Sequence, residues 1–61
     1  MLDRLKEGSV VLLHQLDDIP ERHFEVDQIF EDCMSGYSLD GPLKGVYGEP
    51  GYELIKAVVS Y

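Results

Sequence analysis

A single cysteine, no tryptophan and only five basic residues set the first limits on this chain of 61 residues. Cys33 has no second thiol to pair with, so no disulfide staples the fold, and a zinc site lacks its usual thiols. His14 and His23 complete the set of good transition-metal ligands, and no two of the three sit at a spacing that a helix or turn would converge. No metal or other cofactor is expected. Nucleic-acid binding draws affinity from clustered lysine and arginine that displace counterions. Here Arg4, Lys6, Arg22, Lys44 and Lys56 are scattered, which argues against direct nucleic-acid contact and against anionic membrane surfaces. Long apolar runs are also missing. The longest, Val10-Val11-Leu12-Leu13, falls far short of the roughly 20 residues a membrane helix needs. Residues 1–7 alternate charge with leucine and have no apolar stretch of the secretory kind, so the expected location is the cytoplasm.

What the chain has in quantity is acid. Twelve carboxylates give a net charge of −7. Asp17, Asp18, Glu21, Glu25, Asp27, Glu31 and Asp32 face Arg22 alone within one quarter of the length, so nearly all of that charge is local. Such a field steers a basic protein partner toward it. A chain this short buries only about 60% of the surface its unfolded form exposes, and with neither disulfide nor metal the common remaining support is self-association. A homo-oligomer is therefore expected.

Glycine and proline punctuation divides one small domain, 1–61, into short strands. Residues 1–7 suit a helical turn, with Leu2 and Leu5 on one face and Gly8 ending it. Ser9–Leu16 reads as a first strand, broken by Asp17-Asp18-Ile19-Pro20. Two templates compete for the next segment. As a helix over about 19–34, in an α+β fold, it has Asp18 and Glu21 at capping-box spacing and Gly36 past its end. As a strand, it turns Phe24, Val26 and Phe30 inward and Glu25, Asp27 and Glu31 outward, with a bulge near Gln28-Ile29 needed to restore the phase. The strand reading is preferred, because Gly36–Asp40 alternates and needs an antiparallel neighbour, supplied through a tight Cys33–Gly36 turn. Gly41-Pro42 then reverses the chain, Leu43–Tyr47 makes a fourth strand, and Pro50-Gly51 fits the centre of a type II turn. Tyr52–Ser60 closes the set. The reading is mainly β, a five-stranded small barrel.

This order of elements resembles the SH3-like small barrel: a long first loop at residues 17–22, a central hairpin, and Val46-Tyr47 leading through a tight turn into Glu53-Leu54-Ile55. The string from Gly36 to Pro50 is also similar to small bacterial proteins, some carried on mobile gene cassettes, to which no function is attached. The resemblance covers residues 8–60 and implies a bacterial source. Departures from the functional branches follow from the residues. Peptide-gripping SH3 domains use tryptophan and an aromatic first loop, both missing here. Nucleic-acid-binding KOW and Sm-like barrels carry basic loops, and this one is acidic. The Val-Gln-Ile-Tyr motif of plasmid-encoded dihydrofolate reductases is replaced by Tyr47-Gly48-Glu49-Pro50.

Chemistry-bearing combinations are sparse. Cys33 and His23 on adjacent segments would make a nucleophile and base, but acidic surroundings raise a thiol's pKa. Paired carboxylates of the glycosidase kind need a cleft that this length cannot build. The glycines of residues 45–51 lack the helix and lysine of a phosphate loop. What remains is a surface. Tyr37, Tyr47 and Tyr52, where two or more share an exposed face with Pro42 or Pro50, would mark a partner or self-association site, with Glu25, Asp27 and Glu31 as its acidic neighbours. The expected function is a non-enzymatic protein-interaction module whose expected partner is another protein or the chain itself. The alternatives are an acidic inhibitor that mimics nucleic acid toward a basic protein, and a small oligomeric enzyme with a pore at its symmetry axis.

Overall fold

The computed structural model describes residues 4–61, so Met1, Leu2 and Asp3 of the expected N-terminal turn lie outside the described residues. Gly8, at φ +89°, ends the leading segment in a conformation that L side chains avoid. The chain then extends as β1, Val10–Leu13, with Val11 and Leu13 fully buried. Ser9, also buried, has a satisfied hydroxyl: it accepts from the Lys6 N–H at 3.0 Å and donates to the Tyr61 carbonyl at 3.0 Å. Both ends of the described chain are thereby tied together. The expected strand to Leu16 stops at Leu13, because Leu16 and Ile19 instead exchange backbone hydrogen bonds around Asp17-Asp18. Asp17 takes φ 52° at this hairpin tip, a conformation that aspartate tolerates better than most residues.

The competing templates for residues 19–34 resolve in favour of the strand. β2 spans Arg22–Ile29 and buries Phe24 and Val26. A bulge falls between Val26 and Gln28 in its pairing with β3. Past the bulge the inward–outward alternation is lost, and Phe30, expected inward, is exposed together with Ile29. The tight turn also moves. It runs from Phe30 to Cys33, closed by the Phe30 N–H on the Cys33 carbonyl at 2.8 Å, and β3 follows at once as Met34–Ser38. Gly36, expected in a turn, sits mid-strand because nothing larger fits: a Cβ there would lie 2.0 Å from the Glu25 carbonyl oxygen and 2.9 Å from the Phe24 ring.

The fourth strand is shorter than expected. β4 is Tyr47–Gly48 alone, since Leu43–Val46 is taken up by consecutive turns that use positive φ at Gly41 and Gly45. Gly51, expected at positive φ, is extended at φ −71°, ψ 159°, and bridges to Cys33 instead of reversing the chain. A single 3-10 turn, Tyr52–Leu54, precedes β5, which begins at Ile55 and ends at Ser60.

The five strands form one antiparallel sheet in the order β4-β3-β2-β1-β5, curled like a small barrel but not closed, with β4 and β5 as its edges. Leu5, Val11, Leu13, Phe24, Val26 and Met34 make the core, covered by Tyr52, Leu54, Ile55, Val58 and Tyr61.

Candidate functional site

Strand register builds the most distinctive surface. Tyr47 pairs with Tyr37, Tyr37 with Glu25, Glu25 with Val10, and Val10 with Ser60, so one residue from every strand stands in a line across the sheet. Directly opposed residues share a face. This is the outer face, because the alternate positions Phe24, Gly36 and Val11 are buried. Tyr37 and Tyr47 are 45% and 50% exposed, and their rings meet edge to face with centroids 5.7 Å apart. That geometry lets the positive edge of one ring meet the negative face of the other. The Tyr47 hydroxyl donates to Glu49 at 2.9 Å, and this bond to a carboxylate raises the Tyr47 pKa above its ordinary value of 10.0.

Beside Tyr37 lies an open depression of about 240 Å³, lined by Glu7, Gly8, Glu25, Val26, Asp27 and Tyr37. Backbone pairing of Gly8 and Ser9 with Val26, at 2.8 Å each, holds the N-terminal segment against β2 and sets Glu7 at the rim. Among the described residues no cation pairs with Glu7, Glu25 or Asp27. Three of the five basic side chains are engaged elsewhere: Arg4 stacks over Tyr61 at 4.4 Å, Arg22 donates to Ser38 at 2.9 Å, and Lys56 pairs with Glu21 at 2.6 Å.

Of the residues singled out from sequence, Tyr37, Tyr47, Glu25 and Asp27 thus come together, and two do not. Tyr52 packs on the core and its hydroxyl donates to the Phe30 carbonyl, which pins the β2–β3 turn. Glu31 sits in that turn, past the end of β2, so the single face of Glu25, Asp27 and Glu31 does not form. The bulge and the early turn are the reason. Cys33, half-buried, lies in the β2–β3 turn past one end of β2 while His23 stands near the other end, so they do not meet. Among the described residues no group of three potential ligands could hold a metal ion.

Sequence reasoning missed one polar pair. The His23 N–H donates to Asp40 Oδ1 at 2.9 Å, and His23 Nδ1 lies 2.7 Å from Oδ2, so one carboxylate holds both the backbone and the ring. Hydrogen bonds from His23 hold the Asp40 carboxyl below its ordinary pKa of 3.8. The signal was Asp40 standing before Gly41-Pro42, where an aspartate side chain commonly captures a backbone N–H. A carboxylate that orients a histidine serves general-base catalysis when the other ring nitrogen meets a hydroxyl or thiol. The hydroxyl on the neighbouring strand, Ser38, is buried and accepts from Arg22, so the pair clamps the β3–β4 connection to β2.

Compared with known proteins, the chain matches no family model, no curated protein and no solved structure.

Proposed function

We propose that this protein is a non-enzymatic interaction module that binds a protein partner through the outer face of its sheet, centred on Tyr37 and Tyr47. The observation that carries this reading is the exposed edge-to-face tyrosine pair, in register with Glu25 and bordering an open depression. Tyrosine supplies large, rigid contact area with a polar tip, which is why it is enriched in the cores of interfaces. At about 240 Å³ the depression is smaller than the roughly 300–1,000 Å³ of small-molecule sites, so it suits a partner's side chain better than a metabolite. A photo-reactive phenylalanine analogue at position 37 tests this in the native cell. A discrete cross-linked product is expected, lost when Tyr47→Ala is added and missing when the analogue stands at Glu53. Equal products from positions 37 and 53 would refute it.

Self-association is a second reading, favoured by β5. Among the described residues its six positions form a sheet edge paired with β1 alone, and Val59 is 56% exposed there. An unpaired edge is a template for a second copy. Sedimentation over a concentration series should give a dimer that Val59→Lys reduces to monomer. A monomer throughout would exclude it.

A further inference from the structure

The tyrosine face carries more information than its exposure. A ligand for it must satisfy two demands at once: apolar, π-compatible contact against Tyr37, and positive charge for the three carboxylates at the rim. We propose that the depression beside Tyr37 receives an arginine side chain from a basic segment of a protein partner. This inference rests on the reading of the face as a protein-binding surface and specifies the chemistry of the partner.

Glu7, Glu25 and Asp27 line the depression, and among the described residues none has a cationic partner. Three of the five basic side chains are committed to other contacts, and among the described residues neither Lys6 nor Lys44 forms an ion pair with these carboxylates. Carboxylates attract cations and repel phosphate, which excludes nucleic acid and anionic lipid as occupants. Between the two cationic side chains the tyrosines decide. A guanidinium is planar, weakly hydrated and able to lie on an aromatic face while its edge donates in a fork to carboxylates. An ammonium satisfies the charge but neither the plane nor the fork. Tyr37 at the wall, with Glu25 beside it in the cross-strand row, provides a ring and a carboxylate together. A volume of about 240 Å³ open to solvent holds one side chain, with the partner's backbone left running over Tyr47 along the sheet.

The test uses the whole chain, labelled with nitrogen-15, titrated with a decapeptide of alternating arginine and serine. Lysine-for-arginine and glutamate-for-arginine peptides serve as controls. The arginine peptide should shift the amides of Glu7, Gly8, Glu25, Val26, Asp27 and Tyr37. Its affinity should fall about tenfold in Glu25→Gln/Asp27→Asn, as expected for losing a charge-assisted pair. Tyr37→Leu, which keeps an apolar strand residue, should weaken arginine binding and erase the preference over lysine. Shifts confined to Asp17–Glu21, equal binding of the arginine and lysine peptides to the native chain, or full affinity in Tyr37→Leu would each overturn the proposal. A silent peptide titration alongside a Tyr47-dependent cross-link from position 37 refutes the arginine assignment and leaves the protein-binding reading standing. Silence in both refutes both. A cross-link whose mass is that of a second copy overturns the basic partner.

Discussion

Replacing Gly36 by alanine tests how the tyrosine row is set in place. A Cβ at this position would stand 2.0 Å from the Glu25 carbonyl oxygen and 2.9 Å from the Phe24 ring. The first contact is with backbone, so no rotamer change relieves it, and β2 and β3 must separate at the pair that carries Glu25 and Tyr37. Overpacking of a tight core costs about 1–3 kcal/mol, and a backbone clash belongs at the top of that range. Restricting the unfolded chain offsets about 0.4–1 kcal/mol. The net loss is about 2 kcal/mol or more, which lowers Tm by roughly 8–16 °C in a domain of this size. Two other glycines calibrate the measurement. Gly48→Ala meets the same Phe24 ring at an ordinary 3.9 Å and should fall within about 0.5 kcal/mol of the parent. Gly45→Ala has open space but φ +81°, and should cost about 1–2 kcal/mol from backbone strain alone. Thermal unfolding followed by circular dichroism, with urea m-values to confirm unchanged compactness, ranks the three. A Gly36→Ala protein that melts within about 2 °C of the parent would refute the claim that close strand approach dictates this glycine.

Further predictions follow from the polar contacts. Asp40 has a folded pKa below its ordinary value of 3.8, so the stability it contributes is complete above that value and is lost as pH falls through the lower folded one. Asp40→Asn should therefore flatten that acid limb in a urea-unfolding series across pH, while an unaltered limb would show that the pair with His23 is inert in solution. Tyr47 ionises above 10.0 because its hydroxyl is held by Glu49, and Glu49→Gln should bring its ultraviolet titration midpoint down. Ser9→Ala strips a buried hydroxyl that serves both the Lys6 N–H and the Tyr61 carbonyl, and should cost about 1–3 kcal/mol by denaturant unfolding.

The acidic segment from Asp17 to Asp32 is one feature in sequence and four in space, Glu21 being held apart from the rest by its ion pair with Lys56. Asp17 and Asp18 form a hairpin tip, Glu25 and Asp27 border the depression, and Glu31 and Asp32 make the β2–β3 turn. Glu7, distant in sequence, joins the second group through backbone pairing of the N-terminal segment with Val26. The strongest charge pattern of the chain was thus legible, but its division was not. Among the tyrosines, Tyr37 and Tyr52 both follow a glycine and look alike locally. The sheet exposes the first, and the core together with the Phe30 carbonyl claims the second.

Local chemistry determined the mainly β character and the succession of five strands, because alternation, β-branched residues and glycine or proline breaks act over a few neighbouring positions. Tertiary structure decided the bulge between Val26 and Gln28, the mid-strand role of Gly36, the brevity of β4 and the outward position of Phe30. Each of these depends on which residue lies opposite on a partner strand. Because side chains alternate with a period of two, one inserted residue sends every later side chain to the other face. The line from Tyr47 through Tyr37 to Glu25 exists only through that pairing, assembled from three strands whose sequences do not mention one another.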